Sequence, residues 1–200
     1  LTQAGNSFGS TVAVSNSGAF AVQVTDSTPL SLAASTVGSG GLTLISGGAI
    51  TQTGAVVTGG GTTSLTATGP ANITLNQAMN DFGTVAVATG QDVTLVDTNA
   101  IALGASTVGG FLSVTANGTI SQGAAVSVTG TTTLAAGAAN DITLTTPTNN
   151  FSTVVVTSGN IVQVTDTNAI ALGAATTAGA FTVISGGIVS GAAVINAVGT

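Results

Sequence analysis

Asp97-Thr98-Asn99-Ala100-Ile101-Ala102-Leu103-Gly104-Ala105 recurs letter for letter at Asp166 through Ala174. A looser copy, Asp26-Ser27-Thr28-Pro29-Leu30-Ser31-Leu32-Ala33-Ala34, precedes both. The copies begin at Asp26, Asp97 and Asp166, so the chain repeats itself about every 70 residues. Self-similarity at a fixed period marks a stacked repeat architecture, in which function resides in surfaces more than in a single pocket. Phe8, Phe82 and Phe151 form a second landmark at nearly the same period, the first interval being slightly the longer. From Phe8 to Asp26 there are three more residues than from Phe82 to Asp97, and they fall near Asn16-Ser17-Gly18, a turn sequence that tolerates insertion. The chain divides into repeats at about 1–74, 75–143 and 144–200, the last incomplete, within one continuous segment over 1–200.

Inside a repeat, short triplets alternate apolar and small polar residues. Val85-Ala86-Val87, Val93-Thr94-Leu95, Ile101-Ala102-Leu103, Leu112-Ser113-Val114, Val126-Ser127-Val128 and Ile142-Thr143-Leu144 are separated by Gly, Asn, Asp, Thr and Ser. Alternation sends the outer two residues of each triplet to one face and the middle one to the other. Strands this short have no core by themselves and must bury that face against equivalent strands one coil above and below. The spacing therefore predicts an all-β parallel solenoid, a β-helix with about three coils per repeat. Taking Val85, Leu112, Thr133 and Val154 as successive first strands gives coils averaging about 23 residues, and about nine coils in all. At ~4.8 Å between stacked strands the rod is about 40 Å tall. No capping segment is visible at either end of the pattern, which predicts an excerpt of a longer fibre or ends that stack on other copies.

Composition excludes several functions. The chain has no Lys, Arg, His, Cys, Trp, Tyr or Glu, and its net charge of −6 comes from Asp26, Asp81, Asp92, Asp97, Asp141 and Asp166 alone. Nucleic-acid binding and attraction to anionic membranes both require cationic side chains. The sequence contains no apolar run long enough for a membrane-spanning helix and no signal peptide, and an outer-membrane barrel needs interfacial aromatic girdles that six Phe do not supply. The expectation is no nucleic-acid partner and no direct membrane insertion. Absence of Lys and Arg also removes the cleavage sites of trypsin-like proteases.

Asp26, Asp97 and Asp166 are the candidate site residues, and the metal-ligand reading is weighed against a turn reading. Asp-Thr-Asn and Asp-Ser-Thr suit turns in which the carboxylate bonds nearby backbone. Were the three in one column, three coils would separate them by ~14 Å at the strand spacing, whereas Ca²⁺ ligands lie about 2.3–2.6 Å from the ion. They are read as turn residues, with no metal and no cofactor. Asp81 aligns with Ser7 and Asn150, Asp92 with Asn160, and Asp141 with Asn72, an exchange that a turn accepts and an acid–base pair does not. A glycosidase pair of carboxylates would lack any cationic or phenolic partner here, so the reading is non-catalytic. Phe8, Phe82 and Phe151 are read as core, forming an aromatic column, with sugar-stacking platforms as the alternative. Asn72, Asn140, Asn149 and Asn150 are read as amide ladders between coils. Three glycosylation-type triplets beginning at Asn72, Asn117 and Asn150 are at chance level in so Asn- and Thr-rich a chain.

The run Ile120-Ser121-Gln122-Gly123-Ala124-Ala125-Val126-Ser127-Val128-Thr129-Gly130-Thr131-Thr132-Thr133-Leu134, followed by Asp141-Ile142-Thr143-Leu144 and Asn149-Asn150-Phe151, resembles the repeat arrays of large bacterial surface proteins related to filamentous haemagglutinin. The likeness extends over the whole chain. It implies a right-handed parallel β-helix, export to the extracellular or cell-surface environment, and a part in adhesion or biofilm. The leading expectation is a stalk or filament segment of an extracellular adhesin, its receptor unidentified. Two others are a subunit that self-associates by end-to-end stacking and an ice- or carbohydrate-binding solenoid. The last is prompted by Thr66/Thr68 and Thr143/Thr145, although Thr positions are expected not to keep register between repeats.

Overall fold

In the computed structural model, which describes residues 1–191 and 195–197, the strands are short, every pairing is parallel, and there is no helix among the described residues. The end of the third repeat, expected to run to Thr200, lies partly outside the described residues. The strands form a nine-stranded wall, an eleven-stranded wall and a three-stranded corner sheet, wound as a β-solenoid. All six sequence triplets lie on strands. In each the outer residues are buried and the middle one is partly exposed, as in Val93-Thr94-Leu95 of Val93–Asp97. Inward Leu, Ile and Val from both walls form one continuous core. Each fully buried Leu or Ile contributes roughly 2 kcal/mol. That core, summed over coils, holds together a chain with neither disulfides nor a salt bridge between side chains.

The coils are tighter than the expected average. Along the eleven-stranded wall, Leu30 pairs with Ile50, Ile50 with Ile73, Ile73 with Val93, Val93 with Leu112, Leu112 with Thr132 and Thr132 with Val154. Each step from one partner to the next takes about 21 residues on average, near the short end for a solenoid coil. Val85, read from sequence as one coil before Leu112, belongs to the other wall, where it pairs with Thr63 and Leu103. A Val-x-Val triplet looks the same on either wall, so period-2 patterning does not say which wall a strand joins.

This reassignment changes the meaning of the repeat. From Val93, three coils lead through Leu112 and Thr132 to Val154 on the same wall. The chain then crosses to Val162, the residue equivalent to Val93, on the nine-stranded wall. One repeat thus spans three and a half coils. Between Val22 and Thr89 the nine-stranded wall receives four strands and the eleven-stranded wall three. Between Val93 and Gly159 the nine-stranded wall receives three strands and the eleven-stranded wall four, with Ser106–Val108 joined to the latter's sheet as a corner strand. The corner strands change sides with them: Ser35–Val37 follows a strand of the eleven-stranded wall, whereas Ser106–Val108 follows one of the nine-stranded wall.

Turns stack as closely as strands. A Cβ on Gly47 would lie 2.0 Å from the Ser27 carbonyl oxygen one coil below, so only glycine fits there. Gly41 combines a close approach to Thr62 with φ of 86°, a conformation that side chains other than glycine's rarely adopt.

Candidate functional site: the joint between repeats

The recurring Asp, Phe and Asn residues converge where one repeat hands over to the next. Asp97 ends the strand Val93–Asp97 and is 2% exposed; Asp26 and Asp166 are 1% and 2% exposed. The Asp97 carboxylate accepts the Phe82 N–H at 2.6 Å and the Asn99 N–H at 3.0 Å. Asp166 accepts the Phe151 N–H at 2.6 Å and the Asn168 N–H at 3.1 Å. Asp26 accepts the Phe8 N–H at 3.3 Å, with the Thr28 N–H at 2.9 Å and the Thr28 hydroxyl at 2.8 Å. Each carboxylate therefore closes its own turn two residues ahead and also clasps a segment 15 to 18 residues behind it. The turn bond is the geometry its sequence suggests; the clasp across coils carries no sequence signature of its own.

The three do not share a column. Asp26 and Asp166 end strands of the nine-stranded wall and Asp97 ends one of the eleven-stranded wall, because each repeat adds half a turn. Among the described residues no three His, Cys, Asp or Glu side chains are grouped as a metal site. Their electrostatics differ. Burial raises the Asp97 carboxyl above the usual carboxylate range, more than its backbone hydrogen bonds lower it, and the nearby Asp81 charge adds to the rise. Burial pushes Asp26 upward too, but the hydrogen bonds from Thr28 and Phe8 outweigh it and leave that carboxyl below its ordinary value.

Asn80 and Asn149, two residues before the phenylalanines, are fully buried. The Asn80 amide nitrogen donates to Gln52 Oε1, Leu75 O and Val96 O at 3.0, 3.2 and 3.1 Å. Its oxygen accepts from Gln52 Nε2 at 2.8 Å and the Val56 N–H at 2.9 Å. Asn149 reproduces this set on Gln122, Leu144, Thr165 and Val126. One amide stitches three successive coils with every polar atom satisfied, as a buried polar group requires. Sequence reading placed Asn149 among the ladder residues and missed Asn80, Gln52 and Gln122. The usable signal was that Gln52 and Gln122 stand one repeat apart, at the same point of the pattern. Elsewhere Asn168 donates to the Asn150 side chain at 3.1 Å, and Asn99 donates to Asp81 at 3.0 Å. Asn72 accepts the Asp92 N–H at 3.1 Å, and the Asn140 amide donates to Ala136 O at 2.8 Å.

Phe82 and Phe151 fill the interior with no exposed surface, and Phe8 packs partly buried against the same core. They form no aromatic column. Phe82 leads into the nine-stranded wall and Phe151 into the eleven-stranded one, as the half-turn dictates.

Two outer clefts lie on the solenoid surface, one of them over the Asp97 turn. One of about 430 Å³ lies where the nine-stranded wall bends into the corner strand, lined by small neutral residues including Ser64, Ala86, Ala105, Thr107, Ala125 and Ser127. Another of about 200 Å³ lies over Asp97, beside Ala78, Thr98, Thr115 and Asn117. Their chemistry is that of hydroxyl, amide and methyl groups, with Asp97 the sole titratable lining residue.

No curated protein and no solved structure matches the chain. A family model matches it twice in tandem, at residues 19–89 and 90–158. The first match begins and ends with strands of the nine-stranded wall, and the second with strands of the eleven-stranded wall. The chain belongs to the family described as repeats of unknown function (DUF5649).

Proposed function

We propose that this chain is a non-catalytic stalk or filament segment of an extracellular bacterial surface fibre. The observation that carries the reading is the joint. Asn80 and Asn149, with their Asp–Phe clasps, repeat the same contacts at successive repeats, and one core runs past both. Length is therefore added by adding repeats, without a new interface. The reading is also supported by carboxylates occupied with backbone N–H groups and by a surface without cations, which suit a spacer better than an acid–base centre. The likeness of the repeats to those of filamentous haemagglutinin-related proteins suggests the extracellular setting and an adhesive parent. Electron microscopy of the purified chain and of versions with added repeats tests it. Thin rods lengthening in proportion to repeat number are expected, and compact particles of constant diameter would overturn it.

A specific observation favours a second reading, an ice- or carbohydrate-binding wall. The outward residues Ser31, Thr51, Thr74, Thr94, Ser113 and Thr133 align in one column over six successive coils of the eleven-stranded wall. Thr and Ser keep register from coil to coil within this wall, a relation that comparison between repeats does not address because each repeat crosses to the other wall. Thermal hysteresis and glycan-array binding test this reading; absence of both removes it.

A further inference from the structure

We propose that the two walls are lateral docking surfaces for a second copy of this same chain, so that the rods associate side by side through both faces into layers. The inference rests on the rod reading above and goes beyond it by naming a partner.

Three observations support it. First, neither wall presents an ionisable side chain outward. Asp26, Asp97 and Asp166 end wall strands but are buried, and Asp81, Asp92 and Asp141 lie between wall strands. Like charges facing one another across an interface oppose association, and these walls carry none. Second, the outward positions carry uncharged polar residues, mostly small, such as Thr74, Thr94 and Ser113 on one wall and Ser121, Thr143 and the longer Gln163 on the other. Two such faces meet without like-charge repulsion and with few long side chains to immobilise. Third, the half-turn makes the faces equivalent. Thr74 and Thr94 of the eleven-stranded wall recur as Thr143 and Gln163 of the nine-stranded wall. A surface that pairs on one side therefore pairs on the other, and association continues past the dimer.

The area is sufficient only in proportion to length. Nine strands at ~4.8 Å and three to five residues at ~3.3 Å give a face of roughly 400–650 Å². Two such faces bury about 800–1,300 Å², at the lower limit for a specific interface. Each added repeat enlarges both walls, so lateral affinity increases with repeat number.

Sedimentation velocity and electron microscopy of the full chain over a range of concentrations provide the test. Side-by-side layers that grow with concentration are expected. Thr74→Lys with Thr94→Lys, charging one wall, is expected to stop growth at pairs. Adding Thr143→Lys with Gln163→Lys is expected to abolish association. Because lysines can disturb folding, cysteine cross-linking gives a second readout in a chain without native Cys. Thr94→Cys is expected to yield disulfide dimers faster than Ser39→Cys, an exposed position off the walls. Single rods at every concentration, or equal cross-linking at the two positions, would overturn the lateral inference alone; globular particles would overturn the rod reading with it.

Discussion

Asp97 and Asp166 hold the same place in successive repeats, make the same 2.6 Å bond to a phenylalanine N–H, and stand on opposite walls of the solenoid. The clasp between each Asp and the coil behind it is thus a device of the joint, independent of which wall supplies it.

Asp97→Ala removes the acceptor for two backbone N–H groups, one of them on the fully buried Phe82. Hydrogen bonds to charged groups contribute about 1.5–3 kcal/mol each; the desolvation of the buried carboxylate offsets part of this, so a loss of roughly 2 kcal/mol is expected in denaturant unfolding. Asp97→Asn keeps one acceptor oxygen and should lose about half as much.

The Asn80 amide has the larger expected effect. Asn80→Ala leaves Val56 N–H, Leu75 O, Val96 O and the Gln52 amide without their partner in a buried site. A destabilisation of about 3–4 kcal/mol follows from ~1–3 kcal/mol per buried unsatisfied group, reduced by local relaxation. Hydrogen exchange should show the loosening concentrated in the coils that this amide stitches, since solenoid stability is a sum of neighbour interactions.

Thr63 and Thr132 present the opposite case. They occupy equivalent positions one repeat apart, point inward among Leu and Val, and have buried hydroxyls with no partner among the described residues. Replacing either by the isosteric valine removes an unpaired polar group, and Thr63→Val or Thr132→Val should each stabilise by about 1 kcal/mol. A melting temperature that falls in both variants would contradict this assignment.

The two shifted carboxyls predict opposite pH dependences. Asp26 lies below its ordinary value because burial, which raises it, is outweighed by hydrogen bonds from Thr28 and Phe8. Its stabilisation is present above the unfolded value of about 3.9 and is lost as pH falls through the lower folded value. Asp97 is raised, by burial first and with a contribution from Asp81. Its contribution is present below about pH 3.9 and is lost as pH rises through the higher folded value. Unfolding midpoints from about pH 2 to 7 should therefore show a smaller acid loss in Asp26→Asn and a larger one in Asp97→Asn.

Much of the fold was legible because its causes are local. Val93-Thr94-Leu95 and its counterparts declare strands by alternation, and the Asp-Thr-Asn turns declare where the chain bends. The wall that each strand joins was not legible, since Val85 and Leu112 satisfy the same pattern and only pairing partners distinguish them. The Asn80 staple was obscured for a related reason. A buried Asn is recognised by what surrounds it, and its partners Gln52 and Val96 lie 28 residues before it and 16 after.

Half a turn per repeat gives the number of repeats a parity. An even number returns the chain to the wall from which it started, whereas an odd number leaves it facing the reverse direction. Gain or loss of a single repeat would swing everything beyond it to the far side of the rod. Gain or loss of a pair would alter only reach. Copy number in this family thus specifies a heading as well as a distance.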